Sequence, residues 1–134
     1  MNIKLKINSQ SYNNNYDILL DNKTIGWISY REVSHNSINI SSINIDYKYR
    51  KMGIGTTIIN NLLEQYEYIF GTSSPLAIQF WIKQNAIFEY DVINTPIDNL
   101  LNMNEFPTFF IKKIKKTIYK NTNILYNNIV RNNK

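Results

Sequence analysis

The sequence lacks cysteine altogether and contains one histidine, three prolines and four glycines in its 134 residues. Without cysteine, disulfide bonds, thiolate metal sites and a cysteine nucleophile are excluded, which fits a cytoplasmic protein. The single histidine, His35, argues against a histidine-based metal cluster, so we expect no metal. No apolar run approaches the roughly 18 residues of a membrane-spanning helix, and charges interrupt the apolar residues of Met1 to Lys6, so we expect neither a membrane span nor a signal-peptide core.

The chain does contain enough apolar material for one domain, with 43% hydrophobic and 19% charged residues. Its net charge of +5 is uneven, since residues 1–105 hold eight basic and all ten acidic residues while residues 106–134 hold seven basic residues and no acidic one. We therefore assign 1–112 to one domain and 113–134 to a basic amphipathic helix packed on or extending it. The apolar residues of that helix are Ile114, Ile118, Leu125 and Ile129. Because the segment has few aromatic residues and no known motif, we do not expect nucleic-acid binding.

Alternating apolar and polar residues predict an antiparallel meander of strands over residues 3–7, 16–20, 24–33 and 38–45. In the fourth strand, Ile38 and Ile40 share one parity whereas Ile43 and Ile45 share the other. A strand with one buried face can absorb such a slip only with an extra residue, so we predict a β-bulge at Ser41 and Ser42. A strand buried on both faces is the alternative interpretation.

The second half of the chain alternates helices and strands. Apolar spacing from Ile54 to Tyr66 predicts a helix over 53–65, and a strand over 66–72 follows it, so the crossover between the fourth and fifth strands is parallel. Ser74 and Pro75 fit the N-cap and first position of a helix over 75–84. We further predict a strand over 88–93, a short helix through 101 and a strand over 108–112. The expected fold class is α/β, with a mixed, mostly antiparallel sheet of about seven strands flanked by helices.

The segment Arg50-Lys51-Met52-Gly53-Ile54-Gly55 lies between the fourth strand and the first helix. The first N–H groups of a helix have no internal partner and carry the positive end of its dipole. Glycine lets a phosphate approach the main chain without meeting a Cβ, so the segment is typical of phosphate binding. A simple cap or tight turn is the alternative. The segment is neither a dinucleotide fingerprint nor a Walker loop.

Two motifs resemble the GNAT superfamily of N-acetyltransferases. Arg50, Gly53 and Gly55 match its Arg/Gln-x-x-Gly-x-Gly/Ala motif, which opens the helix after a bulged fourth strand. Residues 77–86 (Ala-Ile-Gln-Phe-Trp-Ile-Lys-Gln-Asn-Ala) look like its Ala-Ile-x-Phe-Tyr-x-Lys-x-Gly-Phe motif. The resemblance covers residues 16–112 and implies a splayed parallel pair of fourth and fifth strands, with acetyl-CoA as the cofactor.

The resemblance also implies where acetyl-CoA binds. Its pyrophosphate is expected on the main-chain N–H groups of Met52 to Thr56, with added charge from Arg50 and Lys51, and its pantetheine is expected to pair with Ile43 to Ile45. The candidate cofactor-binding residues are Ile43, Asn44, Ile45, Arg50, Lys51, Met52, Gly53, Ile54, Gly55, Thr56, Ser74 and Trp81.

Three departures from the family pattern concern the chemistry. Trp81 replaces the tyrosine that usually reprotonates the CoA thiolate, and an indole N–H is no useful acid, so Trp81 is either a cofactor contact or simple core packing. Asn85-Ala86 replaces the Gly-Phe of the motif. The polar stretch Asn8 to Asn15 replaces the two helices that usually separate the first two strands and cover the acceptor side.

The catalytic candidates are Ser74, Glu32 and His35. Ser74 fits a pantetheine contact or a plain N-cap, and His35 fits a general base or a solvated loop residue. The family's usual base positions on the fourth strand hold Asn39, Ser41 and Ser42, where serine-relayed water could deprotonate an amine.

The expected function is N-acetylation by direct transfer from acetyl-CoA. Direct transfer is expected because no cysteine is available for an acyl-enzyme. The open acceptor side favours a lysine or N-terminus of a protein over a small amine, and we expect a monomer or homodimer. The alternative is a catalytically inactive GNAT-like module that binds CoA or a protein partner.

Overall fold

Seven strands form one sheet in the computed structural model, which describes residues 2–8, 14–89, 94–101 and 106–114. The strands are β1 (Ile3–Ile7), β2 (Asn15–Leu20), β3 (Lys23–Ser34), β4 (Ser37–Ile45), β5 (Tyr68–Thr72), β6 (Ile87–Phe88) and β7 (Thr108–Lys112). Their spatial order is β1-β2-β3-β4-β5-β7-β6. Among these described strands β4 and β5 are the only parallel neighbours, and the other pairs are antiparallel. The predicted fold class is therefore confirmed.

Three helices complete the described part: α1 (Ile54–Gln65), α2 (Ile78–Lys83) and α3 (Ile97–Leu101). The predicted second helix is too long at its start, because Pro75–Ala77 forms a separate 3-10 turn before α2. The strand β5 begins at Tyr68, two residues later than predicted, because the main-chain N–H of Tyr66 still bonds to the Leu62 carbonyl of α1. The strand β6 ends at Phe88, and residues 90–93 of the predicted sixth strand lie outside the described residues.

The connections at the start of the sheet are short. The β1–β2 hairpin is closed by a hydrogen bond from the Asn8 N–H to the Asn15 carbonyl, 3.0 Å long, and seven residues join the two strands. That length leaves no room for two helices, as predicted from the sequence. Asp21 and Asn22 have φ angles of 49° and 70°, the left-handed conformations of a tight two-residue hairpin turn between β2 and β3.

The core lies on one face of the sheet, which we call the inward face. It is built from isoleucines of β2, β3, β4, β5 and β7 that pack against α1 and against Trp81 of α2. Alternate residues point the other way and form the outward face, where Trp27 and Phe70 are 42% and 39% exposed. Both longer helices therefore cover the inward face, and a loop of eight residues joins the end of β4 to the start of α1.

The predicted helix of residues 113–134 lies almost wholly outside the described residues, which end at Ile114. The division of the chain at residue 112 stays a prediction.

Candidate active site

The sheet divides between β4 and β5, and we call this division the fork. The two strands are paired from Ser37 and Tyr68 to Ile40 and Gly71. Beyond that last pair β4 continues to Ile45 with no strand beside it on the β5 side among the described residues. No described strand occupies its main-chain groups on that side, and only the Ile45 carbonyl is taken, by the Arg50 side chain, so the rest of this edge can pair with an extended ligand.

A β-bulge lies at the start of the fork. Ser42 pairs with Ser29 and Ile40 pairs with Tyr30, so Ser41 is the extra residue between them. The Ser41 hydroxyl donates a 3.2 Å hydrogen bond to the Ser29 carbonyl. A bulge bends its strand and increases the local twist, which turns the end of β4 away from β5. The predicted bulge is confirmed.

The loop between β4 and α1 presents a series of unpaired N–H groups. Lys51 and Gly53 have left-handed φ angles of 63° and 77°. The N–H of Arg50 bonds to Tyr47 and that of Thr57 to Gly53, but the N–H groups of residues 51–56 meet no acceptor in the described part of the chain. Six consecutive donors at the N-terminus of a twelve-residue helix suit an anion such as pyrophosphate.

Arg50 fixes this loop to the end of β4. Its Nε donates to the Ile45 carbonyl at 2.7 Å, and a terminal nitrogen donates to the Asn44 side-chain oxygen at 3.2 Å. The guanidinium also lies 5.9 Å from the centre of the Tyr47 ring. Arg50 therefore holds the loop in place, and its positive charge stays near the unpaired N–H groups.

The two glycines of the motif are required for different structural reasons. A Cβ on Gly53 would meet nothing within 4 Å, so the space beside it is open, and its positive φ favours glycine. A Cβ on Gly55 would lie 2.7 Å from Cε1 of Phe80. Gly55 is therefore needed for the close packing of α1 on α2, whereas the sequence suggested that a bare main chain was needed there for phosphate.

Ser74 and Trp81 follow β5 and differ in accessibility. Ser74 is exposed at the N-cap of the 3-10 turn, and its hydroxyl makes no capping hydrogen bond. Trp81 is 4% exposed and packs in the core, with its ring centre 4.4 Å from that of Phe109. The geometry thus favours the core-packing interpretation of Trp81 and leaves the Ser74 hydroxyl available to a ligand.

A family model of acetyltransferases, described as the acetyltransferase (GNAT) family, matches residues 5–71, which is half of the chain. The chain belongs to the GNAT acetyltransferase family. Membership confirms the resemblance inferred from the two motifs and agrees with acetyl-CoA as the cofactor expected from that resemblance. No curated protein sequence is similar enough to be matched.

Several solved structures share the GNAT fold. GCN5 from Tetrahymena has a TM-score of 0.63 and 13% identity, with 85% of this chain and 97% of that chain covered. Ard1 from Thermoplasma volcanium has a TM-score of 0.55 and 16% identity, with 76% and 72% covered. A GNAT acetyltransferase from Elizabethkingia anophelis, solved with acetyl-CoA bound, has a TM-score of 0.54 and 15% identity, with 73% and 74% covered.

The other two catalytic candidates of this GNAT chain lie away from the open part of the fork. Glu32 pairs with Ile38, where β4 and β5 are still joined, and its carboxylate accepts a 2.6 Å hydrogen bond from the Tyr66 hydroxyl. This hydrogen bond, with partial burial, raises the pKa of Tyr66 to about 12. His35 precedes β4, at the opposite end of the strand from the Arg50 loop, and is exposed.

Two tyrosines near the fork are residues that sequence reasoning alone does not single out. Tyr30 lies opposite Ile40, the last residue of β4 that pairs with β5, and its ring stacks on Tyr16 at a centroid distance of 4.6 Å. Burial, together with the neighbouring Tyr16, raises the pKa of Tyr30, so its phenol stays protonated. Both tyrosines alternate with polar neighbours, which is the pattern of a strand residue on a buried face. Because the chain has ten tyrosines, this pattern does not distinguish these two from the rest.

The described residues carry neither a group of three His, Cys, Asp or Glu side chains arranged for a metal ion nor a helix long and apolar enough to cross a membrane.

Proposed function

We propose that this chain is an N-acetyltransferase that moves an acetyl group directly from acetyl-CoA to a lysine or N-terminal amine of a protein. The observation that carries the proposal is the series of unpaired N–H groups at residues 51–56, immediately beside the open fork. A cytoplasmic location is part of the proposal, supported by the absence of cysteine.

The residues present fit this cofactor. The N–H groups of residues 51–56 and the open space at Gly53 would hold the pyrophosphate, with the charges of Arg50 and Lys51 close by. The edge of β4 from Ile43 to Ile45, beside which no described strand lies, would hold the pantetheine by strand-like hydrogen bonds.

Bound acetyl-CoA supplies a thioester whose C–S bond breaks as the amine nitrogen forms the amide, so the amine loses a proton and the thiolate gains one. The exposed Ser74 hydroxyl is the proposed donor to the sulfur. Deprotonation of the amine falls to water at the Ser41 and Ser42 bulge, because Glu32 and His35 lie away from the open part of the fork.

A charge placed in the loop tests the cofactor site. The Met52 side chain is 47% exposed, so Met52→Glu adds a carboxylate without disturbing the core, and Met52→Gln is its neutral control. At a separation of about 7 Å and an effective dielectric constant of about 60, repulsion by two phosphate charges costs about 1.5 kcal/mol, or roughly tenfold in affinity. We expect calorimetry to show this loss for Glu relative to Gln. Equal affinities would place the phosphate elsewhere.

The second candidate function is a catalytically inactive module that binds CoA, and the burial of Trp81 at the usual tyrosine position favours it. Labelled acetyl-CoA incubated with the protein and a cell extract separates the two functions. Labelled protein in the extract supports the transferase, whereas tight binding without any labelled product supports the inactive module. Labelled polyamines without labelled protein would contradict the protein acceptor.

A further inference from the structure

A row of five side chains crosses the outward face beside the fork, and we call it the Arg31 row. Each of five neighbouring strands contributes one residue, and each residue is paired with the next. The members are Arg31 of β3, Asn39 of β4, Phe70 of β5, Phe110 of β7 and Ile87 of β6. With strands about 4.8 Å apart, the row is about 19 Å long. It lies one residue before the last β4–β5 pair, so it borders the opening of the fork.

One end of the row is an apolar patch that no helix covers among the residues the structure describes. Phe70 and Ile87 are 39% and 56% exposed, and the Phe70 and Phe110 rings lie 6.5 Å apart. None of these three side chains belongs to the core cluster that α1 and α2 cover. A contiguous exposed apolar patch of this kind marks a surface that binds another molecule.

The other end of the row is a single positive charge. The Arg31 side chain is exposed and forms no ion pair within the described ranges, while its neighbour Glu32 bonds to Tyr66. On the adjacent row, Lys112 lies 6.0 Å from the Tyr68 ring centre, so the outward face near the fork presents basic charge around its aromatic rings. A partner that complements this surface carries a carboxylate and a bulky apolar side chain.

Building on the proposed acetyl transfer, we propose that the Arg31 row docks an extended acceptor segment with an acidic residue on one side of the acetylated lysine and a bulky apolar residue on the other. Arg31 is about 10 Å from Phe70 and about 14 Å from Phe110 by strand spacing. Residues i and i+4 of an extended chain are about 13 Å apart, and i, i+2 and i+4 share one side. A segment of the form Glu-x-Lys-x-Leu therefore matches the row, and its lysine faces Asn39 beside the fork.

Synthetic peptides test this docking. The first probe is the peptide acetyl-Gly-Glu-Ser-Lys-Ser-Leu-Gly-amide. A second peptide has its five central residues in reversed order, and two further peptides replace Glu by Arg or Leu by Ser. Two peptides keep both Glu and Leu, in opposite orders. We expect the better of these two substrates to have a kcat/KM at least roughly tenfold higher than either peptide with a replaced residue, because each replacement removes one charge pair or one apolar contact. These assays use the full chain as the enzyme.

Variants of the row locate the effect. Arg31→Glu is expected to invert the preference for Glu over Arg in the peptide, and Phe70→Ser to remove the preference for Leu. Lys4→Glu is the matched control, because Lys4 is exposed on the edge strand β1, lies opposite the uncharged Leu19 and carries the same charge change away from the row. It should leave both preferences unchanged, and acetyl-CoA affinity should be unchanged in all three variants.

Three results would overturn the docking proposal: the same preferences in Arg31→Glu as in the natural protein, no acetylation of any peptide by a chain that does acetylate protein in a cell extract, or a dimer in sedimentation that Phe70→Ser converts to monomer. The last would show a second copy on the row. A chain that fails to bind acetyl-CoA at all would instead refute the proposed function.

Discussion

A methyl group at position 55 should destabilise the protein through Phe80. In Gly55→Ala the new Cβ would lie 2.7 Å and 3.0 Å from Cε1 and Cζ of Phe80, so the ring must move by roughly 0.7 to 1 Å to restore ordinary contact. Such overpacking costs about 1–3 kcal/mol, and the better helix propensity of alanine offsets about 0.5–1 kcal/mol. We therefore expect the free energy of unfolding to fall by about 0.5–2 kcal/mol.

A double-mutant cycle isolates the contact. Unfolding in urea, followed by circular dichroism, is compared for Gly55→Ala in the natural background and in Phe80→Leu, where the ring edge is absent. Most of the loss should disappear in the second background, a coupling of about 1 kcal/mol. Gly53→Ala is the control, since it has no neighbour within 4 Å and costs about 1 kcal/mol from its positive φ alone, in either background.

The reasoning is refuted if Gly55→Ala costs the same in both backgrounds. It is refuted equally if the variant unfolds normally while its affinity for acetyl-CoA falls. The second result would mean that the space beside Gly55 belongs to the ligand, as the sequence motif suggested.

Three further predictions concern single side chains. Glu32→Gln should lower the pKa of Tyr66 from about 12 towards its ordinary value of 10, measured by ultraviolet titration against Tyr66→Phe. Because folding raises this pKa, the contact stabilises the protein below about pH 10 and the stabilisation is lost as the pH rises to about 12, so an unchanged titration would contradict the contact. Trp81→Phe should cost about 1–3 kcal/mol through lost packing on Phe109 but leave turnover per folded molecule intact, and lost turnover in a folded, cofactor-binding variant would disprove this. Ser74→Ala should change the free energy of unfolding by less than about 0.5 kcal/mol, because the Ser74 hydroxyl makes no capping hydrogen bond, and it should lower turnover roughly tenfold. An undiminished rate of thiol release would remove Ser74 from the mechanism.

The main features of the fold could be predicted because local patterns determine them. In a strand with one buried face, the parity change between Ile40 and Ile43 requires an extra residue, and the bulge is at Ser41. The helix between β4 and β5 favours a parallel crossover, because parallel neighbours need a long connection and that connection is usually a helix.

Contacts between distant residues could not be predicted in the same way. The Tyr66 hydroxyl bonds to Glu32 across 34 residues of sequence, and nothing local pairs them. The packing of Gly55 on Phe80 depends on where α2 crosses α1, which no periodicity specifies. The phosphate site at residues 51–56 stays a prediction that rests on a local motif, whereas Glu32 and His35 are candidates only as titratable groups near the expected cleft.

In the described part of the chain, the fork gives the sheet a third edge in addition to those at β1 and β6. An edge of unpaired main-chain groups is a template on which strands of other molecules can add, which is how many proteins aggregate. Here the edge from Ile43 to Ile45 starts just past the bulge at Ser41, and a bulge twists an edge so that a second flat strand fits it poorly. The same extra residue that opens the sheet to a slender ligand therefore protects it from the strands of neighbouring molecules.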